Sequence, residues 1–69
     1  MQGFDNKTVE LMARALDRAL LMLAKNNQRA GDGAKDALAK HILELARRGE
    51  RNEVRLAYIA VAKLEGEGR

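Results

Sequence analysis

The stretch that decides the fold is residues 9–23, VELMARALDRALLML. Apolar residues recur in it at intervals of three and four, the spacing of one side of an α-helix. Placed on a helical wheel, its apolar positions cover roughly 200°, about twice the width of an ordinary amphipathic stripe. We therefore predict a helix with more apolar surface than one neighbouring helix can cover.

This wide apolar surface divides into two stripes. The first stripe has the alternating spacing of a coiled coil and contains Val9, Ala13, Leu16, Leu20 and Leu23. The second stripe is rich in alanine and methionine and contains Leu11, Met12, Ala15, Ala19 and Met22. We predict that the first stripe builds the chain's own core and that the second contacts a partner, either a second copy or another protein.

The length of the chain supports association. A single domain of 69 residues buries only about 60% of the surface of its unfolded chain. Small domains commonly gain stability from disulfides, metals or partner chains. Cysteine is absent and His41 is the only histidine, so we predict no disulfide, no metal and no cofactor. An isolated three-helix bundle is the alternative, because it gives each helix two neighbours to cover a wide apolar face.

Capping residues divide the chain into three helices. Asp5, Asp32 and Asn52 are good N-caps, and Gly49 is suited to end the second helix. The predicted helices span about 6–26, 33–48 and 53–65, followed by a flexible tail at 66–69. The predicted fold is all-α: a small three-helix bundle, residues 1–69, in which the second and third helices form a helix–turn–helix-like pair. We expect it to assemble as a dimeric helical bundle.

The second and third helices have apolar faces of their own. The predicted core face of the second contains Ala34, Leu38, Ile42, Leu45 and Ala46, with His41 at its edge. The predicted face of the third is broader and contains Val54, Leu56, Ala57, Ala60, Val61 and Leu64. Leu43 and Ile59 fall outside these faces.

No set of residues indicates catalysis. His41 has no serine, cysteine or second histidine at the spacing of a catalytic triad or metal site. The carboxylates stand at helix starts and among basic residues, where nothing pushes two of their pKa values apart for acid–base work. The Gly31–Gly33 segment follows a helix and lacks the lysine of a phosphate-binding loop. We expect a protein that is not an enzyme.

Basic residues gather at the junction of the second and third helices: Arg47, Arg48, Arg51 and Arg55. A small nucleic-acid-binding regulator that uses this basic corner is the alternative function, with the third helix as the reading helix. Against it, the net charge is only +3, acidic residues are interleaved with the arginines, and the outer side of the third helix has no Asn, Gln, Ser or Thr to read bases.

The favoured function is a non-enzymatic protein–protein interaction module, a regulator, adaptor or inhibitor that acts by helix-in-groove packing. The longest apolar run, Ala19–Ala24, is too short to span a bilayer, so we expect no membrane partner. The first residues lack the apolar segment of a secretion signal, and we expect a cytoplasmic protein.

Overall fold

The computed structural model describes residues 3–25 and 32–67 of the chain. This part contains three α-helices, α1 (Asn6–Lys25), α2 (Asp32–Arg47) and α3 (Glu53–Glu67). Each helix packs against both others, and the contact between α1 and α3 is the most extensive. The predicted all-α bundle of three helices is therefore confirmed for the described residues.

Asp5 caps the start of α1, as the sequence predicts. The backbone N–H of Thr8 donates a hydrogen bond to Asp5 Oδ1 at 3.0 Å, and the N–H of Val9 donates to the Asp5 carbonyl at 3.0 Å. Hydrogen bonds from the side chain and backbone of Thr8 lower the pKa of the Asp5 carboxyl from its ordinary value. The cap thus favours the charged form of Asp5, which suits the positive end of the helix dipole.

Gly49 ends α2 through a hydrogen-bonded turn. Its φ is 101°, in the left-handed region where glycine has no steric cost. The N–H of Gly49 donates to the Ala46 carbonyl at 3.0 Å, and the N–H of Glu50 donates to the Leu45 carbonyl at 3.1 Å. This pair of bonds is the Schellman motif, which satisfies carbonyls that the helix end leaves without partners.

Asn52 starts α3 three residues later. Its Oδ1 accepts hydrogen bonds from the N–H groups of Val54 at 3.0 Å and Arg55 at 3.1 Å. The predicted N-cap is confirmed. Because one helix is capped at Gly49 and the next at Asn52, the corner between α2 and α3 is short and its geometry is fixed by backbone hydrogen bonds.

The helix ends differ from the predicted bounds in two places. Asp32, predicted as the cap of the second helix, is the first residue of α2. α3 continues through Gly66 and Glu67, which were predicted to belong to a flexible tail. Glycine costs only about 1 kcal/mol in a helix and no proline follows, so local propensity does not force the helix to end earlier. The predicted end of the first helix beyond Lys25 lies outside the described residues.

The core lies along the line where the three helices meet. It contains buried residues from α1 (Ala15, Ala19, Leu23), from α2 (Leu38, Ile42, Leu45) and from α3 (Leu56, Ala57, Ala60, Val61). Alanines supply much of the α1 and α3 surfaces, and small side chains allow these two helices to approach closely. The predicted faces of α2 and α3 are confirmed in their central residues, whereas Val54 is 55% exposed and Ile59 is packed against the core.

An exposed ion pair joins α1 to α3 at the edge of the core. Arg18 Nε and Nη2 donate hydrogen bonds to Glu53 Oε2 at 3.2 Å and 3.0 Å. Glu53 also lies in the first turn of α3, where a negative charge is favoured by the helix dipole. Only this second role is visible in the sequence, because the pairing with Arg18 depends on how the helices pack.

Candidate functional site: an apolar groove between α1 and α2

The structure assigns the two stripes of α1 differently from the sequence prediction. Ala15 and Ala19, predicted to contact a partner, are both 0% exposed and belong to the chain's own core. A docking chain therefore does not reach these two side chains in this structure. Leu11, Met12 and Met22, the other predicted partner residues, are partly buried and pack against the core. For these three, contact with a partner stays a prediction.

The first stripe is the one that reaches the surface. Val9 is 49% exposed and Ala13 is exposed, while Leu16 and Leu20 are half-buried. Only Leu23 of this stripe is fully buried, so the prediction that the whole stripe builds the core is wrong. The physical reason is rotational: α2 and α3 pack against α1 on either side of Ala15 and Ala19, which leaves the Val9 edge outside.

An apolar groove of about 320 Å³ lies between this exposed edge and α2. Its lining residues come from α1 (Val9, Met12, Ala13, Leu16) and from α2 (Ala39, Ile42, Leu43). Ile42 is 2% exposed, so the base of the groove is part of the core itself. A ligand that enters the groove meets apolar side chains held by the packed bundle, which is how helix-binding grooves are built.

The groove residues on α2 were missed by the sequence analysis. Leu43 was placed outside the core face, on the charged side of its helix, and Ala39 was not singled out. The signal available in the sequence was Leu43 itself, a leucine that lies between Lys40 and Arg47 on its helix. In the structure Leu43 is half-buried beside the groove, whereas Lys40 and Arg47 are exposed. Scattered surface leucines are common, so this signal gains meaning only when α1 is seen opposite it.

Charged residues of both signs stand on the outer sides of α1 and α2, beyond the groove lining. On α1, Arg14 lies between Glu10 and Asp17, and both Arg14 and Asp17 also border α3 beside Glu53. On α2, the exposed residues Asp36 and Glu44 alternate with Lys40 and Arg47. Neither side of the groove therefore carries charge of one sign.

The basic corner uses two of its arginines to hold the chain together. Arg51 Nη1 donates to the carbonyls of Ala46 at 2.6 Å and Glu50 at 3.0 Å. Its guanidinium lies 5.8 Å from the centre of the Phe4 ring, within the range of a cation–π contact. The corner therefore ties the segment before α1 to the end of α2.

Arg55 is paired as well. Its Nε donates to Glu50 Oε1 at 3.1 Å, and Glu50 Oε2 accepts the N–H of Asn52 at 3.3 Å. The hydrogen bond from Arg55 is the main reason why the pKa of the Glu50 carboxyl is lowered. Arg47 and Arg48 are exposed and have no ion-pair partner among the described residues. The four arginines thus do not form one uniform cationic surface.

His41 lies inside the bundle rather than in a cleft. It is 8% exposed, and its Nδ1 lies 4.0 Å from Glu44 Oε1, one helical turn further along α2. Within residues 3–25 and 32–67, no three histidine, cysteine or acidic side chains come together as metal ligands. Nor is any helix in this part long and apolar enough to cross a membrane.

Comparison with known proteins adds no relative to this description. No protein-family model, no curated protein and no solved structure matches the chain. The apolar groove and the basic corner are the two surfaces that bear on function.

Proposed function

We propose that this chain is a non-enzymatic protein–protein interaction module, a regulator, adaptor or inhibitor that binds a partner's apolar side chains in the groove between α1 and α2. The observation that carries the proposal is the exposed apolar edge at Val9 and Ala13 beside the core residue Ile42. Moving such side chains out of water contributes about 25 cal/mol for each Å² of apolar surface. A partner that fills the groove gains this term with little reorganisation of the bundle.

A position-specific crosslink tests the proposal. A photoreactive amino acid replaces Ala13, which lines the groove, and in a matched control it replaces Ala62, an exposed alanine on α3. We expect ultraviolet light to give a discrete adduct from position 13 and none from position 62, with the partner identified by mass spectrometry. The absence of an adduct at position 13, or the same adducts at both positions, would reject the groove as a docking site.

The alternative of nucleic-acid binding through the basic corner has weaker support. Arg51 and Arg55 are bonded to backbone carbonyls and to Glu50, which leaves Arg47 and Arg48 as the exposed cations without a described partner. Phosphate binding by a few cations weakens steeply with salt. Retention on DNA or RNA at low salt, lost in the Arg47→Glu, Arg48→Glu double variant, would revive this alternative.

A further inference from the structure

One side chain of the groove differs chemically from the others. Of the described residues that line the groove, only Met12 has a side-chain atom other than carbon and hydrogen, its thioether sulfur. We propose that Met12 is a redox-sensitive modification site, and that its oxidation to methionine sulfoxide weakens the binding of apolar partners in the groove. This inference rests on the proposed function, because it concerns the same groove, and it adds a means of regulation.

Met12 lies where an oxidant reaches it and a partner covers it. Its side chain is partly buried, since it packs against the core and also lines the groove. The exposed residues Val9 and Ala13 lie beside it, so the groove is open to solvent. Hydrogen peroxide in solution therefore reaches the Met12 side chain while the bundle stays folded.

Few other sulfur atoms compete for the oxidant. The chain contains three methionines and no cysteine, the residue whose thiolate reacts most readily with peroxide. Met22 is the other methionine within the described residues; it is partly buried against the core but is not among the residues that line the groove. Met1 lies outside the described residues. Met22 therefore provides a matched control for Met12.

The modification consumes one molecule of hydrogen peroxide. The lone pair of Met12 Sδ attacks one peroxide oxygen, and the S–O bond forms as the O–O bond breaks. The sulfur is oxidised by two electrons, the peroxide is reduced, and both of its hydrogens leave with the second oxygen as water. The product is a polar sulfoxide, which methionine sulfoxide reductases convert back to the thioether.

The sulfoxide oxygen changes what the groove binds. Water satisfies this hydrogen-bond acceptor while the groove is empty. No side chain that lines the groove carries an N–H or O–H donor, and the backbone N–H groups there belong to the hydrogen-bonded interiors of α1 and α2. An apolar partner that covers the groove thus removes the sulfoxide from water without replacing its hydrogen bond. We expect binding to weaken at least about tenfold.

Selective oxidation of the two methionines tests the inference. Two chains carry the photoreactive amino acid at position 13: one with Met22→Leu, which keeps Met12, and one with Met12→Leu, which keeps Met22. Leucine conserves the volume of methionine and is tolerated in cores. Each chain is treated with hydrogen peroxide, which catalase then removes, and peptide mass spectrometry measures the sulfoxide at position 12 or 22. Treated and untreated chains are titrated into the same cell extract and irradiated.

We expect the chain concentration that gives half-maximal adduct to rise at least about tenfold on oxidation of the Met22→Leu chain. It should stay unchanged on oxidation of the Met12→Leu chain, which shares Met1. Treatment of the first chain with methionine sulfoxide reductases should restore the original value, which separates the sulfoxide from irreversible damage. Far-ultraviolet circular dichroism should report the same helical content before and after oxidation.

The inference is overturned if Met12 resists oxidation in the folded chain, if its oxidation leaves the adduct unchanged, or if both chains lose the adduct equally. Loss of helical content on oxidation also overturns it, because unfolding rather than the groove then explains the lost adduct. In all these cases, an adduct from position 13 of the untreated chain, absent at position 62, leaves the proposed function standing. If the untreated chain gives no adduct at position 13, the proposed function fails, and this inference fails with it.

Discussion

Two glycines show how one residue type serves opposite purposes in this chain. Gly49 has a φ of 101° and ends α2, whereas Gly66 lies within α3. A Cβ added at either position meets no other atom within 4 Å. Replacement by alanine therefore changes only the preference of the backbone, and the two positions form a matched pair.

We predict opposite effects of alanine at these two positions. Gly49→Ala should lower the free energy of unfolding by about 1–2 kcal/mol, because a side chain disfavours the left-handed conformation. Gly66→Ala should raise it by up to about 1 kcal/mol, because alanine is the better helix former. Urea titrations followed by circular dichroism measure both changes. Effects of the same sign would mean that Gly49 is not held in the left-handed conformation.

At the scale of the helices, the sequence predicts the start of α1, the end of α2 and the start of α3, because the chemistry of capping is local. Asp5 and Asn52 each accept a hydrogen bond from a backbone N–H three residues ahead, and Gly49 supplies the turn that closes α2. All three interactions lie within a few residues along the chain. Two contacts of Arg51 are less visible in the sequence: its hydrogen bond to the Ala46 carbonyl and its contact with Phe4. The contact with Phe4 forms only when α1 and α2 are packed together.

The carboxylates at the helix ends should make the stability of the bundle depend on pH. The pKa values of Asp5 and Glu50 are both lowered in the folded chain, mainly by hydrogen bonds from Thr8 and Arg55. A group whose pKa is lower in the folded state stabilises that state fully above its unfolded pKa. The contribution is lost as the pH falls below that value, which for Glu50 is ordinarily 4.5.

We therefore predict a decline of the urea midpoint between pH 5 and pH 3 that is shallower in Glu50→Gln and in Asp5→Asn than in wild type. Glutamine and asparagine keep side-chain hydrogen-bonding groups but cannot lose a negative charge. Asp17→Asn is the control, since Asp17 is exposed and has no ion pair among the described residues. Identical slopes for wild type and the capping variants would contradict the assignment of these two carboxylates.

At the scale of the whole molecule, the sequence does not show which face of α1 turns inward. Its apolar arc is wide enough to hold two stripes, and each is a plausible core. The choice falls on Ala15 and Ala19 because α2 and α3 pack over these small side chains, leaving Val9 and Ala13 outside. Helical periodicity fixes which residues share a side of one helix, but not the rotation of that helix within a bundle.

Two alanine-to-leucine variants decide whether α1 is rotated as described. Ala15 is 0% exposed, so Ala15→Leu adds three carbons to a filled core and should lower the free energy of unfolding by about 1–3 kcal/mol. Ala13 is exposed beside the groove, so Ala13→Leu should change that free energy by less than about 0.5 kcal/mol. Urea titrations at submicromolar concentration, where association contributes least, compare the two. A larger loss for Ala13→Leu would mean that the Val9–Ala13 stripe faces the core, and the groove would then lose its exposed apolar edge.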